Sequence, residues 1–343
     1  MKLDIYLILP VVLLLIFSYF ILNSISPALF PSYFWYFGLG IIAFLFFSLF
    51  DFEVFSAFSK YLYIISILLL VVTLIIGQAT RGTVRWIPIG GLSFQPSEIV
   101  RPFLLVFFAN YLTYKKLDLK RIIHTLILMG IPLFLILVQP SLGVTALTAV
   151  GFLGLFLAAD LNKKNFLYLG LIVVALIPLI YFSLAPYQKT RITSFLDPAS
   201  DPLGVGYNAI QSTISVGSGM FFGRGLGKGV NTQLLFLPER HTDFIFASIS
   251  EEMGFIGAFI LLALTAVLFF RIVKYLDNPL NIPARIFLSG VFLTLFAQVF
   301  VHTGMNMGLL PITGVPYPLV SAGGSSLLAT MITLGIVVGT KKL

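Results

Sequence analysis

The sequence predicts an all-α polytopic membrane protein, and three observations carry this prediction. Hydrophobic residues make up 59% of the 343 residues, charged residues make up only 10%, and the mean hydropathy is +1.04. A soluble globular domain carries roughly 25% charged residues. A chain this poor in charge is expected to keep most of its surface in lipid.

Candidate membrane spans follow from the apolar runs, because a spanning helix needs about 20 mostly apolar residues. The sequence predicts about ten, with a large extracytoplasmic loop at about 186–243 between the seventh and the eighth. The candidates are about 5–22, 33–50, 60–77, 98–113, 122–138, 143–159, 166–185, 244–270, 286–304 and 319–340. The division of 98–138 into two spans is the least distinct. Residues 1–343 are expected to form one integral membrane domain, with the first apolar run kept as an anchor.

The basic residues predict the orientation. With both termini cytoplasmic, thirteen of the 21 Lys and Arg residues fall on the inner side, as the positive-inside rule requires. The other eight lie in or beside two outer segments, at about 78–101 and 186–243. The net charge of +8 therefore reflects inner loops and anionic lipid contacts rather than nucleic-acid binding. An outer basic excess needs a separate explanation.

Metal and disulfide chemistry have few candidates. The chain has no cysteine, so it forms no disulfide and no thiolate metal site. His124, His241 and His302 lack the mutual spacing of a zinc site. His302, within an apolar helix, is expected to be a hydrogen-bonded packing residue. His241 has charged neighbours instead.

The larger outer loop contains a predicted helix. Asp201 and Pro202 have the character of an N-cap and a first-turn residue. Tyr207, Ile210 and Ile214 then recur at helical spacing, and Gly217 and Gly219 would end the helix. The pattern favours a short amphipathic helix at the outer interface, either as a packed lid or near the chemistry.

Charge is concentrated in the stretch LPERHTDFIFASISEEMGF, from 237 to 255. Asp243 stands at the start of a long apolar helix, where it is either an N-cap or a functional acid. Glu251 and Glu252 lie two turns deeper and are interpreted as structural partners of basic groups. Ionisable groups at the edge of the membrane are by default a functional hypothesis.

Two further outer motifs carry charge. In RGTVRWIPIGGLSFQPSEIVRPF, a turn-rich loop leads into a helix with Glu98 in its first turn, where a carboxylate suits the helix dipole. Glu98 is either a capping residue paired with Arg101 or a functional acid. GRGLGKGV lacks Walker spacing, so nucleotide binding is rejected. Its Arg224 and Lys228 either meet a phosphate or belong to an ordinary glycine turn.

Five motifs in one order resemble the SEDS family (shape, elongation, division and sporulation) and its RodA/FtsW peptidoglycan glycosyltransferases. The motifs are RWIPIGGLSFQPSEIVR, FLDPASDPLGVGYNAIQS, GRGLGKG, FLPERHTDFIFASISEEMGFIG and GLLPITGVPYPLVSAGGSSLL. They span about residues 80 to 343, and the arginine of FLPERHTDF is closer to the elongation branch. The chain departs from the family at Ser141, where Asp is common, at Ala322, where Tyr is usual, and at Arg101, where Lys is usual.

The resemblance implies an activity. The family polymerises lipid II, an undecaprenyl-pyrophosphoryl disaccharide-pentapeptide, on the outer face of the bacterial cytoplasmic membrane. An acceptor sugar hydroxyl attacks the anomeric carbon of a donor, and undecaprenyl pyrophosphate leaves. Such a reaction needs a base for the hydroxyl proton and cations for the charge that develops on the pyrophosphate. The implied partners are a class B penicillin-binding protein and other proteins of the elongation complex that shapes the cell wall.

The resemblance also implies site residues. Asp243 matches the presumed catalytic acid, and Glu98 matches a second acid that would orient a basic residue or hold a divalent cation such as Mg²⁺ or Mn²⁺. No cofactor is certain. The outer basic residues and one histidine are expected to bind substrate: Arg81, Arg85, Arg101, Arg191, Arg224, Lys228, Arg240 and His241.

Two other functions remain open on the sequence. A lipid II flippase would need a polar route through the inner half of the membrane, and the inner halves of these helices look apolar. A scaffold of a division or elongation complex would leave the outer acids dispensable.

Overall fold

The computed structural model describes residues 4–80, 83–115, 117–161, 164–168, 170–171, 182, 186–197 and 204–341. Within these residues, fourteen α-helices are numbered in chain order. They are α1 (Ile5–Ile25), α2 (Phe30–Ser48), α3 (Phe52–Ala57), α4 (Ser59–Ile76), α5 (Pro96–Ile99), α6 (Arg101–Thr113), α7 (Leu119–Val138), α8 (Leu142–Ala158), α9 (Pro186–Leu196), α10 (Val205–Ser218), α11 (Val230–Gln233), α12 (Ile245–Asp277), α13 (Ile282–Asn306) and α14 (Gly324–Val338).

The predicted helical membrane fold is confirmed. Within the described ranges six helices are long and apolar enough to cross a membrane, and α8 and α14 are shorter apolar helices. Large apolar side chains are exposed along them, which suits a surface in contact with lipid. Most of the predicted span at 166–185 lies outside the described residues, so the number of ten stays a prediction.

Pairs of helices build the core. The last helix, α14, packs along α2, while α13 packs along α8 and α6. α12 lies between α1, α10 and α13. One continuous buried apolar cluster joins these helices, so the loops at their ends are held by a common support.

The first and last described residues lie at the same end of the helix bundle. The Arg271 guanidinium near the end of α12 donates to the Asp4 carboxylate, with its Nε at 2.8 Å, and Tyr275 donates to the same carboxylate at 3.0 Å. Burial alone would raise the pKa of Asp4, but these donors hold it below its usual value. The backbone amide of Leu280 donates to the Thr340 carbonyl at 2.7 Å. Residue 243, which precedes α12, lies at the opposite end.

A small sheet forms in the outer segment at about 78–101, where the sequence predicted a turn-rich loop leading into a helix. β1 (Gln78–Thr80), β2 (Thr83–Ile89) and β3 (Leu92–Phe94) form an antiparallel sheet in that order. Gly90 and Gly91, with φ of 59° and 83°, connect β2 to β3. Positive φ at both central residues is typical of the tight turn that matches strand twist. The Gly-Gly signal for this hairpin was present in the sequence.

The helix predicted in the larger outer loop is α10, and it faces the protein with its small polar residues. Ser212 and Ser215 are fully buried, whereas Ile214 is 49% exposed. The Ser212 hydroxyl donates to the Asn306 carbonyl at 2.9 Å. The predicted cap residues Asp201 and Pro202 lie outside the described residues.

The long helix α12 is interrupted at Gly254, where φ is 65° and ψ is −160°. The segment around the GRGLGKG loop supplies hydrogen-bond partners to the backbone of α12 at this interruption. The amides of Arg224 and Gly225 donate to the carbonyls of Glu251 and Glu252, each at 2.9 Å, and the amide of Phe255 donates to the Met220 carbonyl at 2.9 Å. Backbone groups freed inside a membrane need such partners.

Candidate active site

A cavity of about 350 Å³ opens at the Asp243 end of the bundle. Six separate segments of the described chain supply its walls: β2, the start of α5, the α7–α8 junction, α9, the loop before α12 and the loop before α14. Its charged and amide lining residues are Arg85, Gln95, Glu98, Gln188, Arg191, Glu239 and Asp243. Four of the residues predicted from the sequence therefore meet here.

The PERHTDF segment is a compact turn. Glu239 has a φ of 52°, and its carbonyl accepts hydrogen bonds from the amides of Thr242 at 3.0 Å and Phe244 at 3.3 Å. Phe244, rather than Asp243, occupies the N-cap position of α12. Asp243 thus lies one residue before the N-cap of α12, with its carboxylate on the wall of the cavity. The simple N-cap interpretation of Asp243 is therefore wrong.

Asn306 holds this turn from the end of α13. Its side-chain amide donates to the carbonyl of Asp243 at 3.0 Å, and its oxygen accepts from the amide of Ala247 at 3.0 Å. The side chain is fully buried. Asn306 therefore fixes both Asp243 and the first turn of α12, a role that the sequence analysis missed.

The loop before α14 holds the turn from the other side. The Ser321 hydroxyl donates to the Thr242 carbonyl at 2.7 Å, and the amide of Ala322 donates to the His241 carbonyl at 2.8 Å. Tyr33 in turn donates to the Ser321 carbonyl at 2.8 Å. The unusual alanine at 322 contributes through its backbone, which any residue can supply.

Asp243 and Arg191 converge on Gly314. A side chain at Gly314 would place its Cβ 3.5 Å from Asp243 Oδ2 and 3.9 Å from Arg191 Nη1. Gly314 has a φ of 69°, which favours glycine. Arg191 Nη1 also donates to the Ile312 carbonyl at 3.4 Å. An acid and a cation thus face the same small volume.

Glu98 also lines this cavity and is 4% exposed. Arg101, Arg85 and Asp243 are its charged neighbours within electrostatic range. Glu98 and Arg101 also line a separate narrow pocket between α6, α13 and α14. The start of α5 is fixed because the Gln95 amide donates to Ser325 Oγ at 2.7 Å and the Gln95 side chain donates to Ser141 Oγ at 3.1 Å. Ser141 therefore has a structural partner where the family commonly has an acid.

Other predicted substrate-binding residues are placed elsewhere. Arg240 Nε donates to the Ile25 carbonyl at the end of α1, at 3.1 Å. Burial lowers the pKa of Arg240, and the neighbouring Glu239 opposes that effect. Arg224 and Lys228 are exposed and lie in the loop that forms hydrogen bonds to the backbone of α12 at its interruption. None of these side chains lines the described cavity, nor does His241. Arg81 lies outside the described residues.

The deeper acids bind neutral donors. The Glu251 carboxylate accepts from the amides of Asn231 at 2.9 Å and Thr232 at 3.0 Å, so it caps α11. Glu252 accepts from the side chains of Gln233 at 2.9 Å and Ser24. The expectation that basic groups partner these acids is wrong, although their structural role is confirmed. The prediction for His302 is also confirmed, since its Nδ1 contacts the Val315 carbonyl at 2.7 Å in a fully buried position.

A divalent cation is not supported by a ready set of ligands. In the part of the chain that the structure describes, no three His, Cys, Asp or Glu side chains lie close enough to hold a metal ion. Glu98 and Asp243 face one cavity but do not form a protein-only site. A metal requirement stays a prediction.

Comparisons with known proteins agree with the resemblance. The model of the FtsW/RodA/SpoVE family of cell cycle proteins matches residues 2–342. The chain is 42% identical over 289 residues to the peptidoglycan glycosyltransferase MrdB of Escherichia coli K12, a match covering 83% of this chain and 78% of that protein. It is also similar to a chain of a peptidoglycan synthase complex that coordinates polymerization and crosslinking, with a TM-score of 0.84, 31% identity and coverage of 98% and 97%. Against the rod shape determining protein RodA of Thermus thermophilus the TM-score is 0.74 at 26% identity, covering 99% of this chain and 96% of that one.

Proposed function

We propose, since the chain belongs to the FtsW/RodA/SpoVE family of cell cycle proteins, that it is a peptidoglycan glycosyltransferase that polymerises lipid II into glycan strands during cell elongation. The chain is a multi-pass protein of the bacterial inner membrane. The observation that carries the proposal is the convergence of Asp243 and Arg191 on Gly314 within a cavity that also contains Arg85 and Glu98.

Asp243 is the general base of this reaction. Its carboxylate takes the proton of the acceptor sugar hydroxyl while the hydroxyl oxygen bonds to the donor's anomeric carbon. The bond from that carbon to the pyrophosphate oxygen breaks in the same step. Proton transfer by a positioned base is typically worth about 10²–10⁴ in rate.

Arg191 and Arg85 bind the departing pyrophosphate. A guanidinium presents a planar fork of donors that matches phosphate oxygens and keeps its charge at any working pH. Stabilising charge that develops in the transition state is usually a large part of catalysis. Of these two arginines, Arg191 is the better placed for this role, because it lies beside the base.

Glu98 positions Arg101 and Arg85, the arginines that act on its carboxylate. It is buried, and the charges of Arg101 and Arg85 act on its carboxylate, so we infer that the same attraction keeps the two guanidinium groups near it. Removing one partner of a buried charge pair leaves the other uncompensated, which is strongly destabilising. We infer that Glu98 acts through these arginines and that Arg101 belongs to its support.

The active site faces outward and both termini are cytoplasmic. The distribution of Lys and Arg in the loops supports this orientation. The contacts of Asp4 with Arg271 and of Leu280 with Thr340 support it as well, because they place both ends of the chain away from Asp243.

The partners are lipid II and a class B penicillin-binding protein transpeptidase, together with other proteins of the elongation complex. The similarity to a chain of a peptidoglycan synthase complex supports the transpeptidase. Flippase activity is disfavoured, since the relatives are glycosyltransferases.

Purified protein with its penicillin-bound partner and labelled lipid II tests the proposal. Penicillin blocks crosslinking, so the expected products are linear glycan strands of increasing length. Lipid II that changes leaflet in proteoliposomes without polymerising would instead indicate a flippase. If lipid II neither polymerises nor changes leaflet, a scaffold role would be the remaining function.

A further inference from the structure

A second cavity, of about 330 Å³, lies beside the active site between α9, α10 and the turn that follows α13. Its lining is mainly apolar and includes Phe195, Ala209, Ile210, Ile214, Leu310 and Ile312. The volume falls in the usual range for a small-ligand site. Ile214 and Met307, which line the cavity, are 49% and 43% exposed, so the cavity reaches the surface there. An apolar cavity with an apolar rim suits a lipid chain.

Arg191 is shared by the two cavities. It lines the apolar cavity and also the active-site cavity, together with Ile312. A ligand that occupies both cavities passes Arg191. Such a ligand must have an apolar part in the second cavity and an anionic part at the guanidinium. A polyprenyl pyrophosphate has this construction.

We propose that the second cavity binds the isoprene units next to the pyrophosphate of the glycosyl donor. The proposal rests on the proposed function and deepens it, because it assigns a subsite to one of the two lipid-linked substrates. The whole undecaprenyl chain is far larger than the cavity, so the remaining units continue past Ile214 into the membrane.

The identity of the donor follows from the position of the base. Asp243 and Arg191 face the same small volume at Gly314. In the reaction the attacked anomeric carbon carries the donor's pyrophosphate. The pyrophosphate of a lipid II acceptor is separated from its attacking hydroxyl by the disaccharide. The cation beside the base therefore meets the donor's pyrophosphate, and the cavity behind that cation meets the donor's first isoprene units.

Photocrosslinking tests the subsite without requiring turnover. The probe is undecaprenyl pyrophosphate with a diazirine on the isoprene unit next to the pyrophosphate, added to the full chain in its complex with the transpeptidase. We expect adducts on the peptides that contain residues 205–218 and 307–312. Adducts confined to other helices would overturn the proposal, as would labelling of these peptides by a diazirine phospholipid but not by the prenyl probe.

A cavity-filling variant sharpens the test. Ala209→Trp is expected to reduce labelling about tenfold, which corresponds to about 1.4 kcal/mol of binding. Ile127→Trp is the matched control, because Ile127 is a 60% exposed residue of α7 outside this cavity. If Ala209→Trp fails to fold, Thr213→Leu fills the same cavity by a smaller amount. Unchanged labelling in a folded filling variant would contradict the proposal. A parent protein that labels at this site but never polymerises lipid II would refute the proposed function and leave the prenyl site standing.

Discussion

The side-chain amide of Asn306 donates a hydrogen bond of 3.0 Å to the backbone carbonyl of Asp243, and its oxygen accepts from the amide of Ala247. The end of α13 thereby fixes Asp243, one residue before the N-cap of α12. Because a general base must be held within hydrogen-bond reach of its proton, this contact links the packing of two membrane helices to the proposed chemistry.

Asn306→Leu is expected to lower kcat more than it raises KM. The substitution leaves buried polar groups of Asp243 and Ala247 without their partner, at a cost of about 1–3 kcal/mol for each group. Steady-state polymerisation and thermal unfolding measure the two effects. Asn110→Leu is the control, because Asn110 donates to the Ser56 carbonyl and Ser59 Oγ elsewhere in the bundle. Equal losses of kcat in both variants would show that the effect is only structural.

Arg191→Ala is expected to reduce turnover by about 10²-fold, the usual cost of losing one transition-state donor. Arg224→Ala is the matched control, since Arg224 is exposed and lies outside the described cavity. The control is expected to retain the parental rate. Similar rates for the two variants would remove Arg191 from the pyrophosphate site.

Glu251→Ala is expected to destabilise the protein by about 3 kcal/mol, because a carboxylate that accepts two buried amide bonds is lost. Glu251→Gln retains one acceptor and is expected to lose less. Thermal unfolding in detergent measures the order, and turnover per folded molecule is expected to stay near the parental value. A Glu251→Gln protein with normal stability and no activity would place this acid in the mechanism.

Gly223→Ala is expected to disrupt the hydrogen bonds between the GRGLGKG loop and the interrupted part of α12. Gly223 has a φ of 79°, and an added Cβ would lie 2.2 Å from the Glu252 carbonyl oxygen, so the loop must move. Gly130→Ala provides the comparison, because this helical glycine has no atom within 4 Å of an added Cβ and alanine favours helix by about 1 kcal/mol. A lower melting temperature for Gly223→Ala and an unchanged or higher one for Gly130→Ala are expected. Equal melting temperatures would show that the loop does not support the helix.

Apolar length predicted the helices well. The predicted spans at 5–22 and 60–77 correspond to Ile5–Ile25 and Ser59–Ile76, because a lipid-facing helix must be continuously apolar. Polar partners inside the membrane were harder to predict. Glu251 looked like the partner of a basic residue, yet its carboxylate caps α11. Side-chain pairing across distant segments leaves no local periodic signal.

The candidate site was predicted in part. Motif resemblance identified Asp243 and Glu98, and the outer basic excess identified Arg85 and Arg191; these four residues meet in one cavity. Arg240 was grouped with them because it belongs to the outer basic excess, but its side chain donates to the Ile25 carbonyl. The contribution of Asn306 required the tertiary contact between α13 and the turn before α12.

Polymerisation by Asp243→Asn tests the central claim most directly. Asparagine keeps the size of the side chain but removes the base, and the backbone contacts of residue 243 with Asn306 do not depend on the side chain. The assay uses labelled lipid II and the purified variant in its complex with the transpeptidase, with matched thermal stability. The account predicts a folded complex that makes essentially no glycan strands, since a positioned base contributes about 10²–10⁴ in rate. Parental levels of glycan strands from that complex would contradict the account and shift the role of base to Glu98.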